Sequence, residues 1–454
     1  MGTEAGLTAS LHGAFQRFDL VQDPGRPEAL KSAICEQTTR RCLEHFGGTL
    51  RAIILTGSLA RDEATFVEEG NGWSLLGDVE FVLIFDEGAP LPPVPGIDLL
   101  REKIEEGLLQ QNIRGHVSLS AVYPAFLRRL RPRIFAYELR TCGQVVWGDR
   151  QILFLIPIFS PSDIPLEDAW RLLCNRMVEL LEVADELAGT PATLSWRVYY
   201  RTVKLYLDMA TSYLVFVGAY EPTYRGRAEK LYLLADSATP GDALPFPLAD
   251  FAERVIACTQ AKLLGPRSSP LLPFEVREKD KVALPLDGGG EGWGWPGKGP
   301  GMAFWEEAVA YARSLWRWEL ARLTGEEGQQ ADSVLMKSWM QRQPFHHRLR
   351  GWLYVLRQRG WHRSWRDWPR WGRRGWQASP RYLVYAAATE LFFRLARLLV
   401  SCGETRHPDF DCETLRRLLP VARTADRWDE RPALWRLASD IVWNYHEFVQ
   451  STLA

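Results

Sequence analysis

Ile53-Ile54-Leu55-Thr56-Gly57-Ser58-Leu59-Ala60-Arg61 and Leu76-Gly77-Asp78-Val79-Glu80-Phe81-Val82-Leu83-Ile84-Phe85 decide the fold between them. The first stretch reads as a short apolar strand, a Gly-Ser turn and the start of a helix. The second reads as a strand with acids at i and i+2, and period-two alternation puts Asp78 and Glu80 on one face. A Gly-Ser turn at a helix N-terminus presents backbone N–H groups and a favourable dipole, which suits a phosphate. Arg61, one turn into that helix, is expected to reach the same anion. Two carboxylates for a divalent cation beside a phosphate cradle suit a Mg²⁺-nucleotide.

Working outward, Pro27 to Phe46 has helical spacing and closes on Gly47-Gly48. Residues 97–111 read as a helix, 116–122 as a strand, and 124–130 as a short helix. Residues 135–140 and 143–148 read as a hairpin, or as a strand and turn. From Leu166 the pattern is helical, with long helices over 166–188 and 195–217 and shorter ones over 226–235 and 248–264. A Gly- and Pro-rich run follows and lacks the G-x-x-x-x-G-K-[ST] spacing of a phosphate loop, so it reads as a connector. Further helices cover 304–323, 382–402, 413–419 and 434–449.

These residues resemble the nucleotidyltransferase superfamily, the group that includes DNA polymerase beta. The form Gly57-Ser58-x-x-Arg61 then Asp78-x-Glu80 is most similar to its aminoglycoside nucleotidyltransferase branch. The resemblance covers roughly residues 25–150. It implies an α+β chain, with a small mixed-sheet nucleotidyltransferase-like domain followed by a large all-helical region. The expected boundaries are 1–160 for the sheet domain, 161–264 for helices closing the nucleotide cleft, 265–301 for a linker or loop, and 302–454 for a C-terminal helical region.

The resemblance also implies roles. Asp78 and Glu80 hold Mg²⁺, and Gly57, Ser58 and Arg61 cradle the phosphates of an NTP, taken as ATP. Arg201 and Lys204, at i and i+3 on one helix, are expected to assist as nucleotide ligands, with Arg176 behind them. A hydroxyl acceptor needs a general base. Glu179, Glu182 and Glu138 are the candidates, with Glu179 taken first, and spacing does not choose among them. Ser118 stands where the family often carries a third acid. A catalytically degenerate binding or regulatory module is therefore an alternative.

Composition bounds the rest. A length of 454 residues suggests two or three domains, and 46% hydrophobic content is ample for a core. The seven Cys form no C-x-x-C pair, which points to free thiols and a cytoplasmic protein rather than a disulfide framework or a zinc ribbon. No signal peptide and no transmembrane run is read. G-x-S-x-G and H-E-x-x-H are both missing from the sequence, which argues against hydrolases of those types. Net charge is −1, yet residues 339–376 interleave Trp with Arg and contain a single acid, Asp367. That segment, Arg348 to Arg374 above all, suits a nucleic acid or an anionic surface, and equally a packed helical core.

Overall fold

A computed structural model describes residues 25–187, 194–237, 244–265, 300–326, 330–359, 368–400, 412–421 and 433–449. It is a mixed α+β chain with a five-stranded sheet near the N-terminus and helices thereafter. The chain divides into two compact units. Among the described residues, the sheet unit comprises those within 25–164, 220–230 and 256–265, and the helical unit comprises those within 165–219, 231–255 and 300–449. The first segment of the sheet unit ends at residue 164, and two later stretches of chain return to that unit.

In the sheet unit, α1 (Gly25–Phe46) leads into β1 (Leu50–Thr56), the one-turn helix α2 (Gly57–Ala60), β2 (Thr65–Glu69) and β3 (Gly72–Phe85). Then come α3 (Val94–Leu109), β4 (Ile113–Val122), α4 (Pro124–Arg128), α5 (Ile134–Cys142) and β5 (Gln144–Gly148). The long strand β3 is the spine. Its first half pairs antiparallel with β2, as Phe66 opposite Leu75 and Val67 opposite Ser74. Its second half pairs antiparallel with β1, from Thr56 opposite Glu80 to Leu50 opposite Phe85. The opposite edge of β3 carries β4 in parallel, and β5 closes the far side of β1. The turn-rich stretch 68–72 is therefore the tip of a β2–β3 hairpin, with Gly70 at φ 61°.

Alternation along the strands splits the core in two. One face gathers Ile53, Leu55, Val79, Phe81, Leu83 and Phe85 against Ile34 and Cys42 of α1 and Leu100, Ile104 and Leu108 of α3. The other gathers Ala52, Ile54, Val82 and Ile84 against Leu127 of α4, Leu139 of α5, and Ile152 and Ile156. Both faces are covered by helices, so the strands read as near-continuous apolar runs. Residues 135–140, expected as a strand, lie instead within helix α5. Ala136 and Leu139 are its buried residues, an i, i+3 spacing that belongs to a helix face. The strand-like alternation of Phe135, Tyr137 and Leu139 is coincidental with that spacing.

The helical unit is built on α6 (Leu166–Leu181) and α7 (Trp196–Phe216). Helices α8 (Tyr224–Ser237) and α9 (Leu248–Leu264) follow. After them come α10 (Pro300–Thr324), α11 (Asp332–Arg342), α12 (Phe345–Arg359), α13 (Trp368–Gly375), α14 (Pro380–Val400), α15 (Cys412–Leu418) and α16 (Ala433–Phe448). Ser195 caps α7, its side chain accepting from the Val198 N–H at 3.3 Å. Trp170 is fully buried and stacks on Tyr382 at 5.9 Å. Helix α6 ends at Leu181, short of the expected 188, and a 3-10 turn over Ala184–Leu187 follows.

Part of the Trp/Arg segment is core. Trp352 and Trp371 are buried 5.4 Å apart, their indole N–H groups donating to the carbonyls of Ala378 and Pro420. Trp361, Arg363, Trp365, Arg366 and Asp367 lie outside the described residues, as does most of the Gly- and Pro-rich run 265–301. Among the described residues, no helix is long and apolar enough to cross a membrane.

Candidate functional site

The sheet unit brings the Gly-Ser turn and the acid pair together. Thr56 and Glu80 are cross-strand partners, and the chain turns into α2 one residue after Thr56. Gly57 takes φ 73°, a conformation that costs other L-residues about 1 kcal/mol or more. A Cβ placed on it would meet the Glu80 Cδ and Oε2 at 3.2 Å. The carboxylate of Glu80 thus lies against the backbone of the turn, in the space that glycine leaves. Asp78 and Glu80 are both exposed and flank buried Val79, so the two carboxylates share one face. Gly57→Ala is expected to lower stability by about 1–2 kcal/mol, from left-handed strain plus displacement of Glu80. A chemical denaturation curve tests this, and a neutral result would mean that the turn relaxes out of the left-handed region.

Two details differ from expectation. Helix α2 is a single turn of four residues, too short for an appreciable macrodipole. Any anion affinity there comes from local N–H groups, and Thr56 supplies no side-chain cap to occupy them. Arg61 is the C-cap of that turn and is not placed as a phosphate ligand. Its side chain is buried, with Nε donating to Glu63 at 3.1 Å and Nη1 to Glu138 at 2.7 Å, and it stacks over Tyr224. Burial alone would lower the pKa of Arg61. The Glu138 and Glu63 carboxylates and Tyr224 outweigh it, so the guanidinium stays charged.

Glu138 is similarly committed. Besides Arg61 it accepts from the Arg227 guanidinium and the Tyr220 hydroxyl, which removes it as a free general base. Burial depresses the pKa of Arg227, and Tyr220 and Glu138 more than restore it. Glu63 accepts from the backbone N–H groups of Tyr224 and Arg225 at 2.6 and 3.3 Å. The sequence reading missed Glu63, Tyr220 and Arg227. Only Glu63, two residues beyond Arg61, had a local signal.

On the β4 edge, Ser118 is the register partner of Glu80 and His116 that of Asp78. His116 Nδ1 lies 2.9 Å from Glu105. The strand thus presents a hydroxyl and an imidazole beside the acids.

The other candidates belong to the helical unit. Arg201 donates to the Glu179 carbonyl at 2.5 Å and to the Glu182 carboxylate at 2.6 Å. Lys204 Nζ lies 5.4 Å from the centroid of the Tyr200 ring. Glu179 pairs with Arg176, which also donates to Asp208 at 2.6 Å. Glu182 further contacts His446 at 3.1 Å.

Among the described residues, no group of three or more His, Cys, Asp or Glu side chains forms a metal cluster. Mg²⁺ commonly takes one or two carboxylates and completes its shell with water and substrate phosphates, so the Asp78–Glu80 donor set fits that ion by its chemistry. Set against protein-family models, curated proteins and solved structures, the chain matches none.

Proposed function

We propose that the sheet unit carries a Mg²⁺-dependent nucleotidyl-transfer site, moving a nucleoside monophosphate from an NTP such as ATP to a hydroxyl acceptor. The observation that carries this reading is the Glu80 carboxylate packed against Gly57 of the Gly-Ser turn, with Asp78 beside it on the same exposed face. In this reading Asp78 and Glu80 hold the cation, and the Gly57 and Ser58 backbone N–H groups bind phosphate oxygens. The cation would neutralise phosphate charge and orient the displacement. The protein's own contribution is positioning: buried Val79 and the β1–β3 ladder fix both carboxylates on a rigid strand.

Thermal stability with Mg²⁺ alone and with Mg²⁺ plus each NTP tests the reading, for wild type and for Asp78→Ala/Glu80→Ala. A ligand that binds only the folded state adds about 2.7 kcal/mol at a hundredfold excess over Kd. That gain is expected in wild type and is lost in the double variant. A gain of equal size in both proteins would remove the acids from the site.

One observation favours a second reading. The register places Ser118 directly beside Glu80, where a third acid would complete the cluster. A degenerate module that binds Mg²⁺-NTP without turnover would show the stabilisation but release no pyrophosphate with any acceptor.

A further inference from the structure

We propose that the outward face of α12, extended by Trp376, docks on an anionic lipid bilayer surface. Phe345, Leu349 and Leu353 recur at i, i+4 and i+8 and are 50%, 47% and 50% exposed. At about 100° per residue they fall within roughly 80° of one another, as a single apolar stripe. Buried Trp352 and Val355 face the unit's core and lie about 20° and about 80° round the helix from Phe345, so the stripe runs along the outer edge of the buried face. About half of each stripe side chain's surface is left uncovered by that packing. Trp376 is 72% exposed and stacks on Phe345 at 5.2 Å, which widens the patch at its amino-terminal end.

Charge selects the partner. Arg350 and Arg357, both exposed, lie on the flank of the stripe, and no acid occurs in 339–376 apart from Asp367. An apolar stripe flanked by guanidinium groups, with an indole at its end, suits the headgroup boundary of a negatively charged leaflet. The apolar side chains enter by about 5–10 Å, and the arginines stay at the phosphates. From Phe345 to Leu353 the helix rises about 12 Å, enough for a shallow contact lying in the surface plane. Nucleic acid fits less well. Leu349 and Leu353 offer no π face for base stacking, and exposing them to a phosphate backbone would bury nothing.

Co-sedimentation of the full chain with vesicles tests the proposal. Phosphatidylcholine vesicles are compared with vesicles that also contain phosphatidylglycerol, at low and high salt. Retention is expected on the anionic vesicles only, falling as salt screens the arginines. Leu349→Glu/Leu353→Glu should reduce it by about tenfold or more, because two inserted apolar side chains are replaced by charges. Both positions are exposed, so the thermal midpoint of the variant should match wild type, and a matched midpoint separates lost docking from lost folding. Equal retention on neutral vesicles, no retention at all, or undiminished retention of the variant would overturn the proposal. So would retention on single-stranded RNA without retention on vesicles, which would assign the surface to nucleic acid.

Discussion

Replacing Glu138 by alanine is expected to destabilise the sheet unit by about 3–5 kcal/mol, because it strands two buried guanidinium groups. Arg61 and Arg227 have side chains only 6% and 4% exposed, and Glu138 is the carboxylate they share. Removing one partner of a buried pair leaves the full desolvation penalty of the other, and here two cations lose the same counter-charge. Glu63 would still neutralise Arg61 in part, at 3.1 Å. Arg227 would keep the carbonyls of Glu221 and Pro222 and the hydroxyl of Tyr220, acceptors that carry no charge. Glu138→Gln should fall between wild type and alanine, since it keeps the shape and one acceptor but loses the charge. Urea denaturation followed in the sheet unit measures both. A loss below about 1 kcal/mol for the alanine variant would mean that water reaches the network and screens it. Because Arg61 closes the turn that begins at Gly57, the same variant should also weaken NTP-dependent stabilisation if the proposed site is correct.

That network marks where reading the chain stops being local. The strands β1 and β3 were legible because Ile53–Thr56 and Val79–Phe85 are apolar runs bounded by turn residues, and a strand buried on both faces looks that way in any context. The same runs placed Asp78 and Glu80 on one strand and Gly57 in the turn that follows its neighbour. Most helices of the helical unit were legible from their spacing, and Ser195 announced the start of α7. What stayed hidden depends on pairs remote in sequence. Arg61 looked like an anion ligand because nothing near it shows that Glu138, 77 residues away, already holds it. Residues 220–230 look like any helical segment, and the pairing of Arg227 and Tyr220 with Glu138 and of the Tyr224 and Arg225 N–H groups with Glu63 explains why they belong with the sheet. Helix α5 was misread because a five-residue stretch of alternating large side chains fits a strand and a helix equally, and length alone does not arbitrate.

Glu319 gives the helical unit a stability that should fall with rising pH, from about pH 5 to about pH 8. It sits on α10 with no exposed surface. One carboxyl oxygen accepts from the Ser212 hydroxyl of α7 at 2.5 Å, and the other has no hydrogen-bond partner. Burial pushes its pKa from 4.5 up to about 8, and the Ser212 hydrogen bond offsets only part of that. The thiol of Cys174 of α6 is also driven well up, first by burial and then by Glu319. The folded protein therefore keeps a proton that the unfolded chain releases near pH 4.5. Between those two pKa values the unfolded state binds fewer protons, so stability declines as pH rises, by about 1.4 kcal/mol per unit. The stabilisation is complete below pH 4.5 and is lost above about pH 8, where the total approaches about 5 kcal/mol. Glu319→Gln carries no ionisable proton, and its stability should stay nearly flat over the same range while matching wild type near pH 5. Denaturation midpoints taken at intervals from pH 5 to 9 decide the matter. If the glutamine variant shows the same decline as wild type, another group is titrating. The carboxyl of Glu319 would then have to be ionised inside the bundle, with a counter-charge drawn in by rearrangement of α6, α7 and α10.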